Sequence, residues 1–217
     1  MEIITAKSAG FCFGVNRAIE ACYNEIEKGG RIVTYGPLIH NKNVNKDLEN
    51  KGVKSVDTLD GCEGATVIIR SHGVGKAVYD ELERRNIHYV DGTCPFVKKI
   101  HNIVRKKRDE GYEVIIIGDG KHPEVIGING WCDNSAITVD NVDDAQKLIL
   151  DDEKKYAVVV QTTFRENKFY DILKILKEKS EKITEENTIC SATEERQTEA
   201  VKISQNVDKM LVIGDKG

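Results

Sequence analysis

Residues 114–124, Val114-Ile115-Ile116-Ile117-Gly118-Asp119-Gly120-Lys121-His122-Pro123-Glu124, carry the pattern that decides the fold. Four consecutive β-branched residues suit a strand covered on both faces, as in a parallel sheet flanked by helices. The run stops at a glycine, and a polar segment with a histidine and a carboxylate follows at once. The same arrangement recurs along the chain. Ile32-Val33 leads into Tyr35-Gly36-Pro37-Leu38-Ile39-His40, Val67-Ile68-Ile69 into Arg70-Ser71-His72-Gly73, and Val158-Val159-Val160 into Gln161-Thr162-Thr163. A further run, Leu211-Val212-Ile213, is read as a fifth strand.

Helical periodicity fills the intervals. Val15, Ala18, Ile19, Cys22 and Ile26 share one face, as do Val97, Ile100 and Val104, and then Ala200, Ile203 and Val207. Strands alternating with helices mean an α/β fold with parallel sheets. In such sheets ligands bind past the carboxyl ends of the strands. The loops holding His40, His72, His122, Glu124 and Thr162 all lie on that edge.

Cys12, Cys94 and Cys190 each stand immediately before one of the three helical stretches. Pro95 suits the first turn of a helix, and Ser191 with Glu194 reads as a capping box. The repetition implies three similar lobes, with approximate boundaries at 1–93, 94–189 and 190–217, each offering one cysteine at a helix start. The partial positive charge there favours the thiolate, which is both a metal ligand and a nucleophile. The chain has six cysteines but no Cys-x-x-Cys pair, which excludes zinc ribbons, thioredoxin-type redox sites and the local ferredoxin run. Cys22 reads as a core residue, and Cys62 and Cys132 as structural. Two chemistries remain open on the residues alone. One is a three-cysteine metal site with an open coordination position; the other is a single cysteine nucleophile with a histidine base.

The bulk properties narrow the partners. The 217 residues carry 32 Lys+Arg against 36 Asp+Glu, a net charge of −4, which argues against nucleic acid as the main partner. No apolar stretch approaches the ~20 residues of a membrane helix, and no secretory signal opens the chain. The expectation is a cytoplasmic protein whose cysteines are thiols or ligands, not disulfides. The charged run from Arg105 to Glu110 reads as a solvated helix end. His88 and His101 have no motif around them and are assigned no role.

Seven segments then become specific together: Gly10-Phe11-Cys12-Phe13-Gly14-Val15, His40-Asn41, Ser71-His72-Gly73-Val74, Asp91-Gly92-Thr93-Cys94-Pro95, His122-Pro123-Glu124-Val125, Gln161-Thr162-Thr163 and Thr188-Ile189-Cys190. In this order and approximate spacing they resemble 4-hydroxy-3-methylbut-2-enyl diphosphate reductases, which close the non-mevalonate isoprenoid route. The resemblance implies three pseudo-threefold-related α/β lobes around a central 4Fe–4S cluster held by Cys12, Cys94 and Cys190, with one iron open to substrate. It implies that His40, His72 and His122, with Thr162 and Thr163, contact an allylic diphosphate. Imidazolium and backbone N–H donors suit that anion. Glu124 becomes the proton donor, with Thr162 in the same relay. His122 precedes a proline and is read as extended, so that His122 and Glu124, two apart, face one site. The reaction implied is reductive dehydroxylation to isopentenyl and dimethylallyl diphosphate, with iron as the Lewis acid and ferredoxin or flavodoxin as electron donor.

The resemblance also has a gap. The family carries a Ser-Ser-Asn-type segment after the strand corresponding to residues 211–213, and this sequence stops at Gly214-Asp215-Lys216-Gly217. The expectation is a C-terminally incomplete member whose third lobe is truncated and whose grip on diphosphate is weak. Three rival classes are set against this one. A three-cysteine iron–sulfur enzyme of the quinolinate synthase or diphthamide type would lack the His-Pro-Glu and Gln-Thr-Thr segments. A cysteine–histidine transferase or hydrolase would need one cysteine alone, and a cluster-bearing sensor would be indifferent to Glu124.

Overall fold

The structure, a computed structural model, describes residues 2–214. The expectation attached to Asp215-Lys216-Gly217 therefore lies outside the described residues. In chain order the elements are α1 (Phe13–Lys28), β1 (Ile32–Tyr35), α2 (Lys42–Asn50), β2 (Lys54–Val56), β3 (Thr66–Ile69), α3 (Lys76–Arg84), β4 (Tyr89–Asp91) and α4 (Pro95–Asp109). There follow β5 (Glu113–Ile117), α5 (Pro123–Asn129), β6 (Ile137–Val139), α6 (Val142–Lys147), β7 (Tyr156–Val160), α7 (Glu166–Lys179), β8 (Ile183–Glu185) and α8 (Ser191–Ser204). They group into two compact units. The first holds the chain up to Ser71, Ile87–Gly92 and the segment from Cys190 onward; the second holds His72–Asn86 and Thr93–Ile189.

In the second unit the apolar runs behave as continuous hydrophobic strands should. Pairing is parallel throughout, in the order β6-β5-β7-β8. Side chains on a strand alternate between faces. Ile115 and Ile117 of β5, with Tyr156, Val158 and Val160 of β7, point to the side covered by Phe169, Ile172, Leu173 and Leu176 of α7. Val114, Ile116 and Val159 point the other way, against Ile100 and Val104 of α4 and Val125 and Ile128 of α5. Both faces are therefore sealed, which is why neither strand shows a polar alternation in sequence. Pro95 takes the first helical position of α4, where its missing N–H deprives the helix of nothing.

The first unit repeats the plan. Its sheet is parallel in the order β2-β1-β3-β4. Ala18 and Cys22 of α1 bury with Ile32, Leu38, Leu48 and Ile68, while Val15, Ile19 and Ile26 pack around them. In each sheet the first strand lies between the second and the third, so the winding reverses between β1 and β3 and again between β5 and β7. Such reversal points open a crevice at the carboxyl ends of the two strands. The helix that precedes each sheet, α1 or α4, begins at a cysteine.

Three local expectations fail. Residues 211–213 pair with no strand among the described residues and their side chains stand 81–87% exposed, so the fifth strand does not form. The helix expected through Ala200, Ile203 and Val207 ends at Ser204 and buries none of its residues, because nothing described covers its apolar positions. The capping box also fails. The N-cap is Cys190, not Ser191, which already occupies the first helical position and cannot reach back to cap it.

Candidate active site

The reversal point of the second sheet gathers a buried acid, a histidine and the Gln-Thr-Thr segment. His122 follows the turn after β5 and is the N-cap of α5, with extended backbone at φ −68°, ψ 135°. The extended conformation stops there. Pro123 begins the helix, so Glu124 lies in its first turn and the two-residue alternation does not apply. What joins the two residues instead is a cap: the Glu124 backbone N–H donates to His122 Nδ1 at 3.1 Å. An Nδ1 that accepts carries no proton. That bond makes Nδ1 the acceptor and Nε2 the nitrogen able to donate to a ligand.

Glu124 is only 2% exposed, not the solvated carboxylate that its type alone would suggest. Its Oε1 accepts from the Thr162 N–H and its Oε2 from the Thr162 hydroxyl, both at 2.7 Å. Burial raises its pKa above the usual carboxylate value, outweighing the two Thr162 hydrogen bonds, which act in the opposite sense. The result is a carboxyl group whose burial favours the protonated form and whose two oxygens are both bonded to Thr162.

Gln161 ties the two loops together. Its Oε1 accepts from the Asp119 N–H at 3.1 Å, and its Nε2 donates to Thr163 Oγ1 at the same distance. The close approach depends on Gly118, where an added Cβ would lie 2.9 Å from both Gln161 Cβ and Oε1. Thr163 is exposed and its hydroxyl is engaged by Gln161. His72, half-buried in the loop after β3, meets His122 edge to face with ring centroids 5.4 Å apart and planes at 84°. His101 is buried on α4, stacks on Trp131 at 5.1 Å and lies against Gly73, where an added Cβ would come 2.7 Å from its ring.

In the first unit His40 is exposed, next to Asn41, whose side chain caps α2 by accepting from the Val44 N–H at 3.0 Å. The six cysteines sort into two sets. Cys22, Cys62 and Cys132 are fully buried, and burial pushes the Cys22 and Cys132 thiols up to about 11. Cys12, Cys94 and Cys190 are half-buried, and each is the N-cap residue of its helix. None of these three side chains caps its own helix. Among the described residues no cysteine forms a disulfide. Partly accessible thiols against helix N-termini are the donor set that an iron–sulfur centre takes, so these residues fit the cluster that the motifs imply.

Some participants were not legible beforehand. Gln161 stood inside a quoted motif, but its bridge depends on two loops that only the sheet brings together. Arg196 and Glu199 of α8, which bond the segment before Cys12, gave no signal because their partners lie near the opposite end of the sequence.

The model of the family described as LytB protein matches residues 3–217. The 4-hydroxy-3-methylbut-2-enyl diphosphate reductase of Clostridioides difficile is 47% identical over the whole chain, which covers 78% of that protein. Its counterpart in Geobacter sulfurreducens is 43% identical, over 99% of this chain and 75% of that one. Among solved structures, the E-1-hydroxy-2-methyl-but-2-enyl-4-diphosphate reductase of Plasmodium falciparum superposes with a TM-score of 0.84 at 34% identity. That match takes in 91% of this chain and 63% of that one. An (E)-4-hydroxy-3-methyl-but-2-enyl diphosphate reductase described as the terminal enzyme of the non-mevalonate pathway gives 0.80 at 36% identity, covering 95% of this chain and 74% of the other.

Proposed function

We propose, from the premise that the chain belongs to the LytB protein family, that it reductively dehydroxylates (E)-4-hydroxy-3-methylbut-2-enyl diphosphate. The products are isopentenyl and dimethylallyl diphosphate. The reaction breaks one C–O bond, forms one C–H bond, consumes two electrons and two protons, and releases water. The observation that carries the reading is the buried Glu124–Thr162 pair at the reversal point of the second sheet, two residues from a histidine donor that precedes a proline.

Each residue then has a task. Cys12, Cys94 and Cys190 would hold a 4Fe–4S cluster, which when bound supplies electrons and Lewis acidity toward the leaving hydroxyl. Burial raises the pKa of Glu124, which favours the protonated form that a proton donor needs. Thr162 Oγ1 donates to Glu124 Oε2 as the site stands; a hydroxyl is both donor and acceptor, so by rotating it reverses that bond, takes the acid's proton and hands on its own, and the acid need not touch the leaving oxygen. His122 presents Nε2–H to an anionic oxygen; His72 and His40, from neighbouring strand ends, extend the donor set for the diphosphate, and Thr163 lies at its edge. Gln161 holds the two loops in register.

The electron donor is assigned to the small redox-protein class, ferredoxin or flavodoxin. A cytoplasmic location, where thiols stay reduced, agrees with the ligand set. No described helix is long and apolar enough to cross a membrane.

The decisive measurement is anaerobic: iron-57-reconstituted protein, a reduced viologen and the hydroxylated diphosphate, followed by product analysis and Mössbauer spectroscopy. One iron site that shifts with substrate, together with the two isomeric products, is expected. A cluster indifferent to substrate, with no product, overturns the assigned reaction.

A further inference from the structure

The segment that leads into Cys12 has no secondary structure, yet it is held at five points by one helix. Glu199 Oε1 accepts from the Lys7 N–H at 2.7 Å, and Oε2 accepts from the Ser8 N–H at 2.8 Å and from the Ser8 hydroxyl. From the same helix Arg196 Nε donates to the Ser8 carbonyl at 3.0 Å, and Nη2 donates to the Gly10 carbonyl at 2.8 Å. Arg196 and Glu199 are three residues apart on α8 and so share a face. One reads carbonyls and the other reads N–H groups, so a guanidinium and a carboxylate together occupy the backbone of residues 7, 8 and 10. Gly10 turns the chain at φ +92°, two residues before Cys12 caps α1.

The same bonds are what fastens α8. That helix buries none of its residues, so packing against a core does not hold it. Its N-cap is Cys190, whose Sγ lies 3.3 Å from Thr193 Oγ1 one turn on. We propose that Arg196 and Glu199 form a latch that sets the approach of Cys12 to the helix headed by Cys190, and so are positioning residues for two of the cluster thiolates. The consequence for iron rests on the ligand assignment above; the latch itself does not. Neither residue touches the reacting atoms. They act by ordering backbone that would otherwise sample many conformations.

The test compares the wild-type chain with the Arg196→Met, Arg196→Lys and Glu199→Gln variants. Amide hydrogen exchange of Lys7 and Ser8 and the alkylation rate of Cys12 are measured on metal-free protein. Iron release to a chelator and the Mössbauer spectrum are measured on anaerobically reconstituted protein. Arg196→Met, like Glu199→Gln, which removes one of the two carboxylate oxygens that accept from the Lys7 and Ser8 N–H groups, is expected to speed Lys7 and Ser8 exchange and Cys12 alkylation by about tenfold or more, the factor that corresponds to ~1.4 kcal/mol of local opening. It is also expected to hasten iron release and broaden the iron signature, while the cooperative melt stays in place because α8 adds no core. Arg196→Lys, which keeps the charge but offers no fork, falls between.

Unchanged exchange and alkylation would overturn the latch. Faster exchange with wild-type iron release and spectrum would overturn its positioning role. A wild-type chain that takes up no iron would instead refute the ligand assignment, and the latch would then stand or fall on exchange and alkylation alone.

Discussion

Glu124 has a raised pKa because it is buried, and the same fact makes its side chain a pH-dependent load on the fold. Below its ordinary value of about 4.3 the group is protonated whether the chain is folded or not, and it adds no pH dependence. Above that value the unfolded chain ionises while the folded chain resists, so stability falls as pH rises until the folded pKa is passed. Glu124→Gln removes this load while its amide can still bond both Thr162 groups. Thermal melts across the acidic range should show the variant gaining on the wild type as pH rises, by at most about 1.4 kcal/mol per pH unit; parallel curves would mean that Glu124 titrates normally. The same substitution removes the transferable proton. Turnover is expected to drop by about 10²–10⁴-fold, the usual range for a general acid, with iron content unchanged. A cluster-bearing sensor would lose nothing. Thr162→Val keeps the backbone bond but deletes the hydroxyl, and steady-state assays should show a large part of the same loss, since the relay needs both atoms.

At the level of elements the sequence was most informative where burial left it no choice. Val114 to Ile117 and Val158 to Val160 are apolar at every position because α4 and α5 press on one face and α7 on the other. A composition so constrained reads as a strand without an alignment. The loops that follow were placed correctly because strand ends are where such sheets put polar groups. Less legible was anything decided by a partner distant in sequence. The run at 211–213 has strand composition but no neighbour to pair with among the described residues, and Ser191-Ala192-Thr193-Glu194 has the letters of a capping box one position too late. His122 and Glu124 do belong together, through a cap and not through strand alternation.

Gly118 shows how closely one such loop is fitted. An alanine there would drive a methyl into Gln161, and Gly118→Ala is expected to destabilise the protein by about 1–3 kcal/mol, as overpacking does. Denaturant titration measures it. Combining it with Gln161→Ala should recover only part of the loss, because the Cβ of residue 161 at 2.9 Å and Val125 Cγ2 at 3.0 Å stay in the way; strictly additive losses would mean that the Gln161 amide takes no part in the clash.

Across the whole molecule the two sheets share one strand order, and helices that begin at a cysteine occur three times, at α1, α4 and α8. That repetition was visible in the sequence as three cysteines before three helical stretches, although the segments themselves are unalike. It leads to a prediction that tests the shared centre against a lone nucleophile. If Cys12, Cys94 and Cys190 serve one cluster, each is equally necessary, since a site that offers only two thiolates loses a ligand whichever one is removed. Alanine at any of the three should abolish stable iron uptake in reconstituted protein, and metal binding should raise the melting temperature of the wild type but not of these variants. Alanine at Cys22, Cys62 or Cys132 should leave iron content intact and lower stability by about 1–2 kcal/mol, the loss of a small buried side chain. A cysteine–histidine transferase would instead show one indispensable cysteine and two replaceable ones, with no iron dependence. Iron content, melting temperature and turnover measured on the same six variants therefore distinguish a shared three-cysteine centre from a lone nucleophile.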